Sequence, residues 1–252
     1  MQLSGAVYTF DHPEACFTHK IDTKPMSSAA KQNLDQNLDE IKMLSAMHAA
    51  LAGPGPGRKF DLEMLNKAGV VMICGAWEAF CEDIIHEAIE IIVMDCPSPN
   101  KLPKLLRSAA QSNVRKDIDD SAPWKLAESG WRSFIKQLAQ VALTQHTGHF
   151  NTPKSKKLIE LFKDCLGIAD ITTNWKKTGG RGLGRSVTVQ RSKLKLDEMV
   201  TLRGEIAHRV QAKNSVKKLH VTEFRAHVEF LADKVEDTIH AELTNVTGKT
   251  YW

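Results

Sequence analysis

The longest apolar stretch of the 252-residue sequence spans residues 61–95, which read DLEMLNKAGVVMICGAWEAFCEDIIHEAIEIIVMD. Its large apolar residues recur every three or four positions, so the spacing predicts a helix of about nine turns with one continuous buried face. The residues that carry this period are Leu62, Leu65, Met72, Ile73, Ala76, Phe80, Ile84, Ile91 and Met94. Asp61 is a candidate N-cap, and Pro97 and Pro99 end the pattern. We expect this helix to lie at the centre of the fold.

The same spacing predicts helices on both sides of the central stretch. Their ranges are 27–51, 101–112, 129–146, 153–167, 192–210 and 222–243. Thr152 followed by Pro153 is typical of a helix start, and Thr222 is a candidate N-cap for the last helix. The pattern predicts an all-α protein folded as an antiparallel helical bundle.

One segment interrupts the helical spacing. Residues 168–192 are rich in glycine, threonine and basic side chains, which predicts a basic, Gly-rich loop or small hairpin inserted in the bundle. The other boundaries follow from the helices. Residues 1–26 are expected to form an irregular lead-in, residues 27–244 one helical domain, and residues 245–252 a short tail.

The composition excludes two classes of protein. With 42% hydrophobic and 25% charged residues the chain is not intrinsically disordered, and no run reaches the roughly 18 apolar residues that a membrane span needs. The first residues lack the pattern of a secretory signal, and the five cysteines form no CxxC pair. We therefore expect a soluble cytoplasmic protein without membrane contact, in which Cys74 and Cys81 are core residues.

Charge is distributed unevenly along the chain. Residues 1–100 hold 7 basic and 14 acidic side chains, residues 101–218 hold 24 and 10, and residues 219–252 hold 3 and 6. The net charges are therefore −7, +14 and −3, which add to the overall +4. A basic middle section suits a polyanionic partner such as RNA, and solvated lysines on helix faces would give the same count.

The residues with the clearest chemical potential lie in the stretch LRGEIAHR, residues 202–209. Arg203 and His208 are five positions apart, about 140° around a helix, and the long arginine stem can swing its guanidinium toward the imidazole. An arginine fork matches a phosphate, and histidine exchanges a proton near neutral pH. Together they suit phosphodiester chemistry, although Arg203 could instead pair only with Glu78 or Glu205, and His208 could be a helix-capping group.

This stretch resembles the signature of the HEPN superfamily, in which an arginine and a histidine are separated by four to six residues. The stretch VMICGAWEAF, residues 71–80, resembles the second helix of the family with its characteristic glutamate, here Glu78. Residues 150–155, FNTPKS, and 161–168, LFKDCLGI, resemble the middle segment of the RiboL-PSP-HEPN branch. The resemblance covers about residues 30–243.

The resemblance implies an RNA endonuclease that needs no metal or other cofactor. In the family the ribose 2′-OH attacks the neighbouring phosphate and leaves a 2′,3′-cyclic phosphate and a 5′-OH end. His208 would be the general acid or base, Arg203 would bind the scissile phosphate, and Glu78 would orient one of them. Gly204 departs from the family pattern, because the residue after the motif arginine is often polar in catalytic members.

The resemblance also implies partners. Family active sites are usually shared between two motifs across a homodimer, and many relatives act as toxins or in phage defence, where a regulatory protein can control them. The basic loop residues are candidates for RNA binding, with Trp175 as a candidate for stacking on a base. The candidate RNA-binding residues are Lys176, Lys177, Arg181, Arg185 and Arg209.

Three other interpretations of these patterns remain open. Residues 179–186, GGRGLGRS, approach a phosphate-binding loop but have Arg185 where that motif has lysine. The pairs Asp83/His86 and Glu205/His208 have the spacing of helical di-metal sites, without the two further glutamates that such sites need. Finally, the same basic face could belong to a non-catalytic module that binds RNA, a nucleotide or a protein.

Overall fold

The computed structural model describes residues 27–52, 62–116, 121–147, 154–179, 186–209 and 215–252. These residues form seven α-helices: α1 Ala29–Ala52, α2 Glu63–Asp95, α3 Lys104–Lys116, α4 Gly130–Thr147, α5 Ser155–Leu166, α6 Val189–Arg209 and α7 Lys218–Thr247. Short 3₁₀ turns occur at Pro99–Lys101 and Ala122–Leu126. The predicted all-α class is confirmed. None of the described helices is both long enough and apolar enough to cross a membrane.

The central position predicted for α2 is also confirmed. It packs against α1, α4, α5, α6 and α7. Trp77 is fully buried, with its ring centroid 5.6 Å from that of Phe80 and 6.5 Å from that of Trp175. Because neighbours surround it, α2 buries more than one face, whereas Met72 and Met94 of the predicted apolar face are exposed. Cys74 and Cys81 are buried free thiols, as predicted.

Helices α6 and α7 both begin earlier than the sequence predicts. Helix α7 begins at Lys218 rather than after Thr222, because the Lys217 backbone N–H donates to His220 Nδ1 over 3.3 Å and closes the first turn. Helix α6 begins at Val189, inside the predicted loop. The rest of that loop, as far as the structure describes it, contains one antiparallel bridge between Lys177 and Val187 and no named strand.

Carboxylates on neighbouring helices, rather than residues next to the helix in sequence, accept hydrogen bonds at the starts of α5 and α1. The Ser155 backbone N–H at the start of α5 donates to Asp197 Oδ1 of α6 over 2.7 Å. Ser28, just before α1, donates its backbone N–H to Glu236 Oε1 of α7 over 2.7 Å. These carboxylates face the positive ends of helix dipoles. The lead-in at 1–26 lies outside the described residues. The predicted caps Asp61 and Thr152 are wrong, because the N-cap positions of α2 and α5 are held by Leu62 and Lys154.

The end of α2 is fixed in the complementary way, by a cation. The Arg132 guanidinium of α4 donates to the backbone oxygens of Val93 and Cys96, the latter over 2.8 Å. Asp95 there accepts bonds from Lys249 Nζ at 2.6 Å and Tyr251 Oη at 2.7 Å. The predicted tail therefore contacts the end of α2, after α7 has run on to Thr247.

One buried histidine fixes the start of α6 against α7. His227 Nε2 donates to the backbone oxygen of Ser192 over 3.0 Å, and burial lowers the pKa of His227 to about 4. The imidazole is therefore neutral at neutral pH. Its bond holds in place the helix that carries the Arg203 to His208 stretch.

The lowered pKa of His227 predicts a loss of stability in acid. An unfolded histidine gains its proton near pH 6.5, so stability is complete above that pH and falls as the pH drops toward the folded value of about 4. Between about pH 7 and pH 5 the His227 contribution amounts to about 2 kcal/mol of unfolding free energy, measurable by urea denaturation.

His227→Gln should abolish this part of the acid loss, because a glutamine amide can still donate to the Ser192 oxygen but does not titrate. His240→Gln, a change on the same helix, should keep the wild-type pH dependence because His227 remains. An identical pH dependence in His227→Gln and wild type would contradict the assignment.

Candidate active site

The Arg203 to His208 stretch occupies the last described turns of α6, and α6 packs against α2. Leu196, Met199, Val200 and Ile206 are buried and turn one face of α6 toward the core. At the contact, Cys74 Sγ of α2 lies 4.0 Å from the Met199 backbone oxygen. This packing fixes which α6 side chains reach α2 and which reach solvent.

Arg203 reaches α2 and meets Glu78 there. Arg203 Nη2 lies 4.0 Å from Glu78 Oε2, and the two side chains are 22% and 19% exposed. A separation of 4.0 Å is an ionic contact but is too long for a hydrogen bond between those two atoms. The other carboxylate oxygen, Oε1, is buried and has no hydrogen-bond partner among the described residues. The site thus contains a mostly buried ion pair with an unsatisfied acceptor.

The pKa of Glu78 is raised, and two opposing effects decide its direction. Burial raises it by penalising the charged form, and the nearby Arg203 guanidinium lowers it by a smaller amount. The carboxylate of Glu82, one turn further along α2, raises it further. Desolvation therefore outweighs the ion pair, and the Glu78 carboxylate is held in a place where its charge is costly.

His208 follows Arg203 by five residues on α6. Its side chain is exposed, near the end of α6 and about 140° around the helix from Arg203. The structure therefore brings Arg203 and Glu78 together and leaves the His208 imidazole in solvent. The guanidinium lies beside Glu78 in this structure, and its swing toward the imidazole stays a prediction.

The predicted RNA-binding residues fall in three groups. Lys176 and Lys177 are exposed, as a nucleic-acid contact requires. Arg181 and Arg185, together with most of the phosphate-loop-like stretch, lie outside the described residues, as does the side chain of Arg209. The prediction that Trp175 stacks on a base is wrong, because that ring is fully buried against Trp77.

A shallow hollow of about 360 Å³, which was not predicted from the sequence, runs along the outer side of α6. Its lining includes three carboxylates, Asp197, Glu198 and Glu205, with Leu194, Thr201 and Leu202. Negative charge on this side disfavours an RNA backbone there. The spacing of these residues, three or four apart along one helix, is the signal from which the acidic side could have been found.

The candidate di-metal residues are not assembled into a cluster. Asp83 and His86 are exposed on α2, and Glu205 and His208 belong to α6. In the part of the chain that the structure describes, no group of three or more His, Cys, Asp or Glu side chains is arranged to hold a metal ion. The di-metal interpretation therefore gains no support from this geometry.

One protein family matches the segment that contains these three residues. The RiboL-PSP-HEPN family model matches residues 32–241, which is 210 of the 252 residues and includes Glu78, Arg203 and His208. The chain belongs to the RiboL-PSP-HEPN family. No curated protein and no solved structure matches the chain significantly. HEPN domains are often ribonucleases, so membership points to an RNA-related function for this family member.

The Arg203–Glu78 pair predicts how this RiboL-PSP-HEPN chain responds to loss of one partner. Arg203→Met leaves the Glu78 charge mostly buried without its compensating cation, so the unfolding free energy should fall by about 1–2 kcal/mol. Adding Glu78→Gln removes the uncompensated charge and should recover most of that loss. Urea denaturation of the two single variants and the double variant measures this coupling.

Arg191→Met is the matched control, because Arg191 is exposed at the start of the same helix. It should change the unfolding free energy by less than about 0.5 kcal/mol. Additive effects of Arg203→Met and Glu78→Gln would show that the two groups do not interact.

Proposed function

We propose that this protein is a metal-independent RNA endonuclease. The ribose 2′-OH attacks the adjacent phosphate, the bond to the 5′-oxygen breaks, and the products are a 2′,3′-cyclic phosphate and a 5′-OH end. The observation that carries the proposal is the mostly buried Arg203–Glu78 pair, followed by an exposed His208 on the same helix, inside the segment that matches the RiboL-PSP-HEPN family.

Each residue has a role that suits its surroundings. Arg203 offers a planar cationic fork for the scissile phosphate and stabilises the charge that develops on it. Glu78 positions the guanidinium from α2. His208 is open to solvent, so its imidazole can exchange a proton with the 2′-OH or with the leaving 5′-oxygen. No cofactor is needed for these steps.

The reaction requires one group to take a proton and another to give one, and this stretch of the chain supplies a single imidazole. A homodimer that brings two copies of His208 to one cleft supplies both. The separation of His208 from Arg203 around α6 also favours a shared site, in which the imidazole of one copy serves the arginine of the other.

Two open glycines beside the ion pair support a dimer contact there. Gly75 lies one turn before Glu78, and Gly204 follows Arg203. A Cβ atom added at either position would meet nothing within 4 Å in this chain. Glycine inside a helix costs about 1 kcal/mol relative to alanine, and no contact within the described chain offsets that cost. A helix of a second copy that packs closely against both glycines offsets this cost.

RNA also needs a surface that neutralises its backbone. Lys176 and Lys177 are exposed for this purpose, and we include Arg181, Arg185 and Arg209 in the same surface. We further propose that the protein acts in the cytoplasm as a toxin or phage-defence effector under the control of a partner protein. The four described cysteines are free thiols, which suits a reducing compartment.

Cleavage of a defined single-stranded RNA in the presence of EDTA tests the enzyme. The wild type should produce 2′,3′-cyclic phosphate ends, and Arg203→Ala and His208→Ala should each reduce the rate at least about 100-fold. Arg115→Ala and His86→Ala remove exposed groups of the same types and should leave the rate within about threefold. Unchanged cleavage in both motif variants would end the nuclease proposal.

If the wild type binds RNA in a salt-dependent manner but does not cut it, the protein is instead a non-catalytic RNA-binding module. Gly204 is the observation that favours this second candidate function, because the residue after the motif arginine is often polar in catalytic members.

Gly204→Ala tests the proposed dimer contact with two opposite effects. Alanine should raise the unfolding free energy of the dilute monomer by about 0.5–1 kcal/mol, because it favours the helix and meets open space. The added methyl group should also hold two copies apart, which weakens self-association and cleavage. Thermal denaturation, analytical ultracentrifugation and the RNA assay measure the three quantities.

The matched control is Asn113→Ala, which favours helix at an exposed position of α3 and should leave association and cleavage unchanged. A Gly204→Ala variant that associates and cleaves like the wild type would show that no second copy approaches this glycine.

A further inference from the structure

A second concave site lies on helices that do not carry the Arg203–Glu78 pair. A cleft of about 390 Å³ opens between the 3₁₀ turn at Pro99–Lys101, the first turns of α3, and α4. Helix α3 packs against α4 and α5, whereas Glu78 and Arg203 belong to α2 and α6. The volume is in the range of small-molecule sites, about 300–1,000 Å³.

Two basic side chains of α3 line one side of the cleft. Lys104 and Arg107 line the cleft, are exposed, and are three positions apart on one helical face. Neither has an ion-pair partner among the described residues, and no carboxylate side chain is among the described residues that line the cleft. Helix α3 as a whole carries four basic and no acidic side chains. The cleft is therefore built for an anion.

The opposite wall is apolar and partly aromatic. Trp131, Phe134 and Ile135 of α4 line it. Trp131 and Ile135 are buried, and the Arg132 guanidinium lies 4.4 Å from the Trp131 ring centroid, so Phe134 supplies the accessible ring of this wall. Flat apolar surface of this kind suits a planar ring. The amides of Asn100 and Gln111 also line the cleft, and such groups can bond the edge of a nucleobase. The hydrocarbon chain of a simple fatty-acid anion could form no hydrogen bonds with these amides.

We propose that this cleft binds a nucleoside monophosphate unit, with the phosphate on Lys104 and Arg107 and the base against Phe134 on the wall that α4 forms. Charge complementarity selects the phosphate, and the apolar wall selects the base. The unit can be a free mononucleotide or one nucleotide of a single-stranded RNA, because the recognised chemistry is the same. The site does not depend on catalysis by His208.

The experiment measures binding by the full chain with probes that it cannot cleave. AMP, ribose 5-phosphate and a short 2′-O-methyl oligoribonucleotide are titrated by calorimetry or by fluorescence anisotropy of a labelled oligonucleotide. Blocking the 2′-oxygen prevents the proposed cleavage, so binding here and failure of the nuclease are separate results. AMP should bind at least about tenfold more tightly than ribose 5-phosphate because of the base contact.

The double variant Lys104→Gln/Arg107→Gln should weaken binding at least about tenfold, because two charge-assisted hydrogen bonds to the phosphate are lost. The control Arg115→Gln/Lys116→Gln changes the net charge equally on the same helix, outside the cleft, and should weaken binding less than about threefold. Phe134→Ala should weaken AMP but not ribose 5-phosphate. Tighter binding of the oligonucleotide than of AMP identifies RNA as the source if Lys104→Gln/Arg107→Gln removes the difference, and tighter binding of AMP identifies a free nucleotide.

Three results would overturn the proposal. Equal weakening by the cleft and control variants would mean attraction to α3 in general rather than a site. Equal affinity for AMP and ribose 5-phosphate would mean that the apolar wall takes no base. Failure of both AMP and the oligonucleotide to bind at millimolar concentration would mean that the cleft serves another ligand, such as an acidic peptide.

Discussion

Burial of α2 is the constraint on which the rest of this structure depends. The helix packs against five others, and its buried Trp77 ring contacts Phe80 of the same helix and Trp175 from the connection before α6. A polar residue on a covered side of this helix reaches neighbours rather than water. Glu78 is in that position, and α6 brings Arg203 to it. The ion pair is therefore a direct product of how the core is assembled.

The burial of α2 determines the electrostatics of the Arg203–Glu78 pair. A carboxylate at the surface would have an ordinary proton affinity and little effect on an arginine across from it. At Glu78 burial outweighs the neighbouring cation and raises the pKa, so the charge of the glutamate is tolerated at a cost. Groups held at such a cost cluster at functional sites. The exposure of His208 on the same helix makes the arrangement one-sided, with the cation held inside and the imidazole outside.

Much of the fold could be predicted from the sequence, because apolar spacing directly reports which side of a helix is buried. The central helix, the flanking helices and the all-α class were predictable in this way. The start of α7 was not, because its first turn is closed by a contact between Lys217 and His220 rather than by Thr222. The burial of Trp175 was also hidden, since a tryptophan in a basic, Gly-rich stretch has no periodic neighbours that show its direction.

The candidate site was predictable in its residues and not in its geometry. Residue types and spacing singled out Arg203, His208 and Glu78, but only the packing of α6 on α2 decides which of them meet. The cleft beside α3 was invisible for the same reason, because its two walls come from helices whose own patterns look ordinary. Lys104 and Arg107 indicate a binding site only because Trp131 and Phe134 line the same cleft.

The borrowed caps of the helices have a consequence for how the chain assembles during synthesis. The bond from Ser28 to Glu236 joins residues 208 positions apart, so the positive end of α1 has this partner only after α7 has been made. Ser155 and Asp197 are 42 positions apart, so the cap of α5 can form much earlier. Contacts between distant positions form late because closing a long loop costs entropy. The Ser28–Glu236 bond at the start of α1 is thus among the last contacts to form.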